Sequence, residues 1–267
     1  MNTTEIITAI VVLAVIALII GIILSIAEKA FKVEIDEKEV AIREELPGSN
    51  CGGCGYAGCD ACAKAIATGE AAVSACPVGG APVAQKIAEI MGAELGELER
   101  MVAYVKCDGT YDTKEQDYNY YGLDSCVYAA LLPGTSPYSC KFGCIGLGSC
   151  ARVCDQKAIR IINKKAVVDE DMCIACGKCV KICPHHLIDI IPASAKQRVQ
   201  CSSLSKGKEV KNACTAGCIG CGLCAKNCPS DAIVFTNNIP KIDYSKCTHC
   251  GLCVEKCPVK IIKVYNQ

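Results

Sequence analysis

The spacing of its cysteines constrains this chain more than any other feature. Twenty-five of 267 residues are Cys, most of them in tight C-x2-C steps. Such a density belongs either to a disulfide scaffold or to a metal protein. Disulfide scaffolds are small, secreted and irregularly spaced. Thiols three positions apart are poorly placed to bridge each other and well placed to converge on one metal centre, so the spacing selects metal. Only three histidines are present (His185, His186, His249), so mixed Cys/His zinc fingers explain little. So many thiols would scramble in an oxidising compartment, which puts the cysteine-rich part in the cytoplasm. Lys plus Arg (28) balances Asp plus Glu (28), which excludes a globally basic nucleic-acid binder.

Residues 140–267 hold four cysteine boxes that form an internal repeat. They are Cys140, Cys144, Cys150, Cys154; Cys173, Cys176, Cys179, Cys183-Pro184; Cys218, Cys221, Cys224, Cys228-Pro229; and Cys247, Cys250, Cys253, Cys257-Pro258. A short apolar run follows each: Ala158-Ile159, Leu187-Ile188, Ala232-Ile233 and Ile261-Ile262. Val167-Val168-Asp169 and the run 239–243 precede the second and fourth boxes and read as short strands. The step from Cys154 to Cys173 equals that from Cys228 to Cys247, whereas Cys183 to Cys218 is longer. Two units of one size are therefore joined by a longer connection.

C-x2-C-x2-C-x3-C-P, present in the last three boxes, resembles the bacterial ferredoxin signature. The resemblance implies two tandem two-cluster ferredoxin folds of short strands and helices, each cluster a [4Fe–4S] cubane. Three closely spaced thiolates wrap one cubane; the fourth, redirected by the proline, reaches the partner cluster. On that pattern Cys173, Cys176 and Cys179 close with Cys154, and Cys183 closes the box-one set Cys140, Cys144 and Cys150. Likewise Cys218, Cys221 and Cys224 close with Cys257, and Cys247, Cys250 and Cys253 with Cys228. Box one departs from the pattern: its steps are x3, x5, x3, and Asp155 replaces proline. A four-thiolate zinc site is the alternative there, and the evenly spaced partner box argues for iron.

Cys51, Cys54, Cys59 and Cys76 form a further set opening Cys-Gly-Gly-Cys-Gly, whose glycines admit a close approach of backbone to cluster. The set resembles the single-cluster [4Fe–4S] domain of corrinoid iron–sulfur proteins; a zinc knuckle is the alternative. Cys62 reads as a helix-face thiol. These five sets use twenty cysteines. Cys107, Cys126, Cys201 and Cys214 remain and are assigned by arithmetic to a sixth cluster, free buried thiols being the alternative. Cys214, Cys218 and Cys221 match a radical-SAM triplet, but too little chain follows for a barrel. No haem, Walker A or dinucleotide motif is present, and no residue set forms a nucleophile or general base, so the chain moves electrons and makes no bonds itself.

Residues 6–27 form an uncharged apolar run, long enough to span a bilayer of roughly 30 Å. The absence of Lys or Arg before it argues against a signal peptide. Lys29 and Lys32 follow it, which orients the remainder to the cytoplasm. The expected organisation is α+β: an anchor (1–28), a connector (29–50), a single-cluster domain (51–106), an irregular surface insertion (107–139) and two ferredoxin units (140–200 and 201–267). One or two helices are expected over residues 81–104, weakened by Gly92 and Gly96. Residues 140–267 carry 19 Lys or Arg against 9 Asp or Glu. The clusters' own negative charge nearly neutralises this excess. Alternatively Lys241, Lys246, Lys256, Lys260 and Lys263 form a dock for an acidic ferredoxin.

An N-terminal span, a CGGCG cluster domain and a ferredoxin module ending in Cys257-Pro258 together resemble the B-subunit family of Rnf complexes, the ion-translocating ferredoxin:NAD+ oxidoreductases, in the longer form of anaerobic bacteria. The resemblance implies a single-pass protein of the plasma membrane with cytoplasmic domains. It would accept electrons from reduced ferredoxin and relay them to membrane and flavin-bearing partner subunits, with export of Na+ or H+. It implies no flavin, NAD or nucleic acid on this chain. A ferredoxin-like subunit of another membrane oxidoreductase or hydrogenase, and a non-redox iron–sulfur scaffold, are the competing classes.

Overall fold

The computed structural model describes residues 3–30, 36–95 and 99–265. The first element is helix α1 (Thr3–Ala30), which contains the apolar run. Its side chains are described without a break only over 14–26, and among the described residues no helix is long and apolar enough to cross a membrane.

Three helices, α2 (Glu37–Glu45), α3 (Cys59–Ala67) and α4 (Gly80–Met91), build a small domain. Asp36 caps α2 by accepting from the Lys38 amide at 2.9 Å, and acidic residues fill the first turn. Ile42 and Leu46, one turn apart, pack on Ile66, Cys62 and Ile87. That stripe draws α2 into the cluster domain, so residues 37–46 are not a connector. Gly92, at φ 64°, ends α4 in the left-handed conformation. Gly96 and Leu98 lie outside the described residues.

The remaining chain forms two units from β1 (Met101–Val105), α5 (Cys126–Ala129), α6 (Ser149–Arg152), β2 (Ile159–Ile162), β3 (Lys165–Val168), α7 (Lys178–Ile182), β4 (Ile188–Pro192), β5 (Gln197–Val199), α8 (Lys208–Ala213), α9 (Leu223–Lys226), β6 (Ile233–Thr236), β7 (Ile239–Ile242), α10 (Leu252–Glu255) and β8 (Ile262–Val264). Each unit pairs two antiparallel ribbons, β1 with β4 and β2 with β3 in the first, β5 with β8 and β6 with β7 in the second. Landmarks recur 74 positions apart: Cys173 and Cys247, Cys183 and Cys257, and the hairpin turns Asn163-Lys164 and Asn237-Asn238. All four turn residues have positive φ, as a two-residue hairpin following the strands' twist requires. Residues 101–104, expected as helix, belong instead to the strand β1, because Val102, Tyr104 and Val105 suit a buried ribbon and Val105 finds its partner in Ile188. Both β1 and β5 therefore belong to the ferredoxin units, ahead of the expected boundaries at 140 and 201.

Two polar contacts, one of them buried, link the units. Arg198 is 2% exposed; it forms an ion pair with Glu170, donates to the Ala195 carbonyl and stacks on the Tyr265 ring at 4.5 Å. Asp108 accepts from Lys165 of the first unit at 2.8 Å and from Lys263 of the second. Burial alone would push the Asp108 carboxyl up, but the two lysines more than reverse this and hold it below the usual carboxylate range. A depressed folded-state pKa gives stability that is complete above the unfolded value near 4 and is lost as the pH falls through the folded value. Asp108→Asn is thus expected to cost about 1–2 kcal/mol at pH 7. In denaturant titrations its difference from the parent chain should shrink below about pH 4.

Candidate iron–sulfur centres

The thiols collect in six places. In the helical domain the Asn50 side chain accepts from the Cys59 amide at 2.8 Å and fixes the start of α3. Cys54, Cys59 and Cys76 face one another across this small core. Cys62 is buried among them, one helical turn beyond Cys59; burial and the neighbouring Cys54 thiol push its own thiol up to about 12. Cys51 stands on the rim of the domain. It lines a cavity of about 70 Å³ shared with Cys154, Cys173, Cys176 and Cys179.

That cavity joins the helical domain to the first ferredoxin unit. Lys181 donates to the Gly52 carbonyl at 3.3 Å. A Cβ on Gly53 would lie 2.8 Å from the Cys176 carbonyl oxygen, closer than packed atoms tolerate. Gly53→Ala is expected to push the two apart at a cost of about 1–3 kcal/mol. Iron content should not change, while the magnetic coupling between the two neighbouring reduced clusters weakens in the EPR spectrum.

The next two groups differ from those read from spacing. Cys144, Cys150 and Cys183 line a cavity of about 30 Å³ together with Cys126, not Cys140. Cys126 arrives on α5, from the segment expected to be surface, and its amide donates to the Ser149 hydroxyl at 2.8 Å. Cys140 turns away to a cavity of about 160 Å³ lined by Cys107, Cys201 and Cys214. The sequence holds the signal for this exchange. Cys144 and Cys150 stand as far apart as Cys218 and Cys224, and Leu147 occupies the place of Cys221. Box one therefore lacks its middle thiol, which comes from outside. Cys140 likewise matches Cys214, each four positions ahead of its box, and Cys107 and Cys201 each lie two residues beyond a strand, β1 and β5. Each unit thus brings two thiols to one shared cavity. The Cys144 amide donates to the Cys107 sulfur at 3.4 Å, and the Cys218 amide to the Cys201 sulfur at 3.3 Å.

In the second unit Cys218, Cys221, Cys224 and Cys257 lie close enough to influence one another's ionisation, and Cys247, Cys250 and Cys253 do the same. Cys228 packs against this second set. Burial would raise the Cys228 thiol, but the Ser230 hydroxyl and three backbone amides bring it below its ordinary value. Cys221 and Cys250 are exposed.

The donor set fits iron–sulfur cubanes. Burial followed by neighbouring thiols pushes Cys150 up to about 12. Burial raises Cys140 and Cys201 to about 11, with neighbouring thiols adding and backbone amides opposing. Thiols crowded in this way need a cationic core to hold them as thiolates. They ring a space instead of meeting at a point: among the described residues no three His, Cys, Asp or Glu converge on one metal ion. Backbone amides aimed at sulfur, from Ala103 to Cys173 at 3.3 Å and from Ile261 to Cys257 at 3.4 Å, supply the hydrogen bonds that tune such a cluster.

Comparison with known proteins agrees with this chemistry. A 4Fe-4S dicluster domain model matches residues 143–187 and 217–261, another matches 166–234, and the FeS cluster model matches 46–78. The first of these matches begins after Cys140. The B-subunit of the Na(+)-translocating ferredoxin:NAD(+) oxidoreductase complex of Acetobacterium woodii is 45% identical over 88% of this chain and 71% of its own length. Its proton-translocating counterpart from Clostridium ljungdahlii is 42% identical over 92% and 86% respectively. The B-subunit of the ion-translocating oxidoreductase complex of Methanosarcina acetivorans is 41% identical over 91% and 92%. With several [4Fe–4S] clusters on tandem dicluster domains and relatives matched along most of its length, the chain belongs to the B-subunit family of ion-translocating ferredoxin:NAD+ oxidoreductase (Rnf) complexes, as an electron-transfer iron–sulfur protein.

Proposed function

We propose that the chain is the electron-entry relay of such a complex, with six [4Fe–4S] clusters in one line from the second ferredoxin unit to the membrane. Bound in the six thiol groups, the clusters supply one-electron carriers. The observation that carries this reading is the contact between successive groups. Cys228, Cys247 and Cys253 share a core with Cys218, Cys224 and Cys257. Cys218 touches Cys201 of the shared centre, and Cys107 of that centre touches Cys144. Cys150 lies near Cys179 of the next group, whose cavity Cys51 joins.

Reduced ferredoxin docks on the second unit, where Cys250 is exposed beside a lysine-bearing surface. Lys241, Lys246 and Lys256 are exposed there. Lys263 serves the fold instead, through Asp108. Helix α1 anchors the chain in the plasma membrane, with Lys29 and Lys32 setting a cytoplasmic orientation. The helical cluster domain then hands electrons to membrane and flavin-bearing partners, which reduce NAD+ and export Na+ or H+.

The test is ferredoxin-dependent NAD+ reduction by the anaerobically isolated complex. The expected rate falls as ionic strength rises and falls further in Lys241→Glu/Lys256→Glu. A rate indifferent to both salt and these substitutions would overturn the docking site. A chain lacking residues 1–28 that still resists carbonate extraction from membranes would overturn the anchor.

A further inference from the structure

Lys114 is the unexpected charge in this molecule. It is 5% exposed, and among the described residues no carboxylate lies within ion-pair distance of it. Its ammonium donates to the Cys144 carbonyl at 2.7 Å and to the Lys164 carbonyl at 3.1 Å, and sits 4.1 Å from the centre of the Tyr138 ring. Its stem runs past Gly109, where a Cβ would lie 3.0 Å from the Lys114 Cγ. Burial lowers its pKa, while the thiols of Cys107, Cys144, Cys214 and Cys140 favour the charged form. Three of these four line the shared centre.

A buried ammonium is costly unless paired. Two carbonyls and a ring face satisfy its hydrogens but do not neutralise it. Asp108 lines the same cavity but is taken up by Lys165 and Lys263, and Glu209 there is exposed, so the negative charge available to Lys114 is that of the surrounding thiols. The 74-residue repeat makes the placement more telling. The carbonyls that correspond in the second unit, those of Cys218 and Asn238, accept no lysine hydrogen bond among the described residues, although the Lys206 stem passes Gly220 beside the Asn238 carbonyl. Lys141 also lines the centre but is exposed, whereas Lys114 is buried.

We propose that Lys114 is a potential-setting residue for the centre at Cys107, Cys140, Cys201 and Cys214, its fixed positive charge favouring the reduced state there. The inference rests on the reading that those four thiols hold a cluster. One electron is taken up at that centre, from reduced ferredoxin in the complex or from dithionite in the test. No bond is made and no proton moves, because the countercharge is already in place. A midpoint raised in this way makes the junction between the two units a resting place for an electron, so that transfer from the second unit into it runs downhill.

The test is an EPR-monitored redox titration of the anaerobically purified full chain, with iron measured on each sample. Lys114→Gln keeps a neutral donor for the Cys144 carbonyl, and Lys114→Arg keeps the charge. The expected result for Lys114→Gln is a lower midpoint for one cluster. At the parent midpoint its reduced-to-oxidised ratio should fall about tenfold, equivalent to about 59 mV for a one-electron couple. Lys114→Arg should retain both the iron and the parent midpoint. An unshifted midpoint in an iron-replete Lys114→Gln chain overturns the proposal, and so does a Lys114→Arg chain that shifts downward or loses iron. The reading of the site itself fails in a different way: the parent chain would hold about twenty irons and lose none on Cys107→Ser.

Discussion

Replacing Cys126 and Cys144 together by serine is expected to cost the chain about four irons, the same loss as either replacement alone, because both thiols serve one cubane. Replacing Cys140 and Cys144 together should instead cost about eight. The spacing of box one implies the opposite pattern, since it groups Cys140 with Cys144 and leaves Cys126 to the sixth set. The structure regroups them through α5, which delivers Cys126 to the cavity of Cys144, Cys150 and Cys183. Iron and acid-labile sulfide in the two double variants decide between the groupings. A loss of about four irons from Cys140→Ser/Cys144→Ser, with about eight from Cys126→Ser/Cys144→Ser, would restore the grouping read from the boxes.

Arg198→Met should produce the largest loss of stability. The guanidinium is 2% exposed, pairs with Glu170 and stacks on Tyr265. Its partner keeps only a quarter of its side-chain surface in water. Removing one member of a largely buried ion pair costs about 3–5 kcal/mol, because the other charge is left without its partner. Denaturation of the anaerobic protein, followed by visible absorbance, should show a lower midpoint. Asp108 and Arg198 together fix the two units, and the shared centre takes two thiols from each. The Arg198 variant should therefore lose iron from that centre before the other centres. Uniform loss from all centres would mean that the two units do not separate along this seam.

The ferredoxin units were legible because their chemistry is local. Three thiolates on one cubane must come from a short tight loop, so C-x2-C-x2-C is visible without knowing the fold. The apolar runs after each box became β2, β4, β6 and β8, each strand beginning five residues after the last Cys of its box. What stayed hidden depends on distant chain. Cys107, Cys140, Cys201 and Cys214 meet only when the two units pack, and no local rule gives their spacing. Lys114 looked like one more charge in an irregular polar segment, since nothing nearby in the sequence marks it as buried. The packing of α2, inside the expected connector 29–50, stayed hidden for a related reason. α2 carries many charges, and its one buried residue, Ile42, with Leu46 just past its end, is too little to announce a core-facing helix. Residues 101–104 close the helical pattern expected over 81–104, but β pairing with Ile188–Pro192 outweighed it.

The most direct measurement is rapid-freeze EPR of the Cys201→Ser chain mixed anaerobically with reduced ferredoxin. Electrons should reach the clusters of the second unit at the parent rate and go no further, leaving the first unit and the Cys51 domain oxidised on the time scale of parent turnover. Equal and simultaneous reduction of all remaining clusters in that variant would contradict a relay that passes through the centre between the two units.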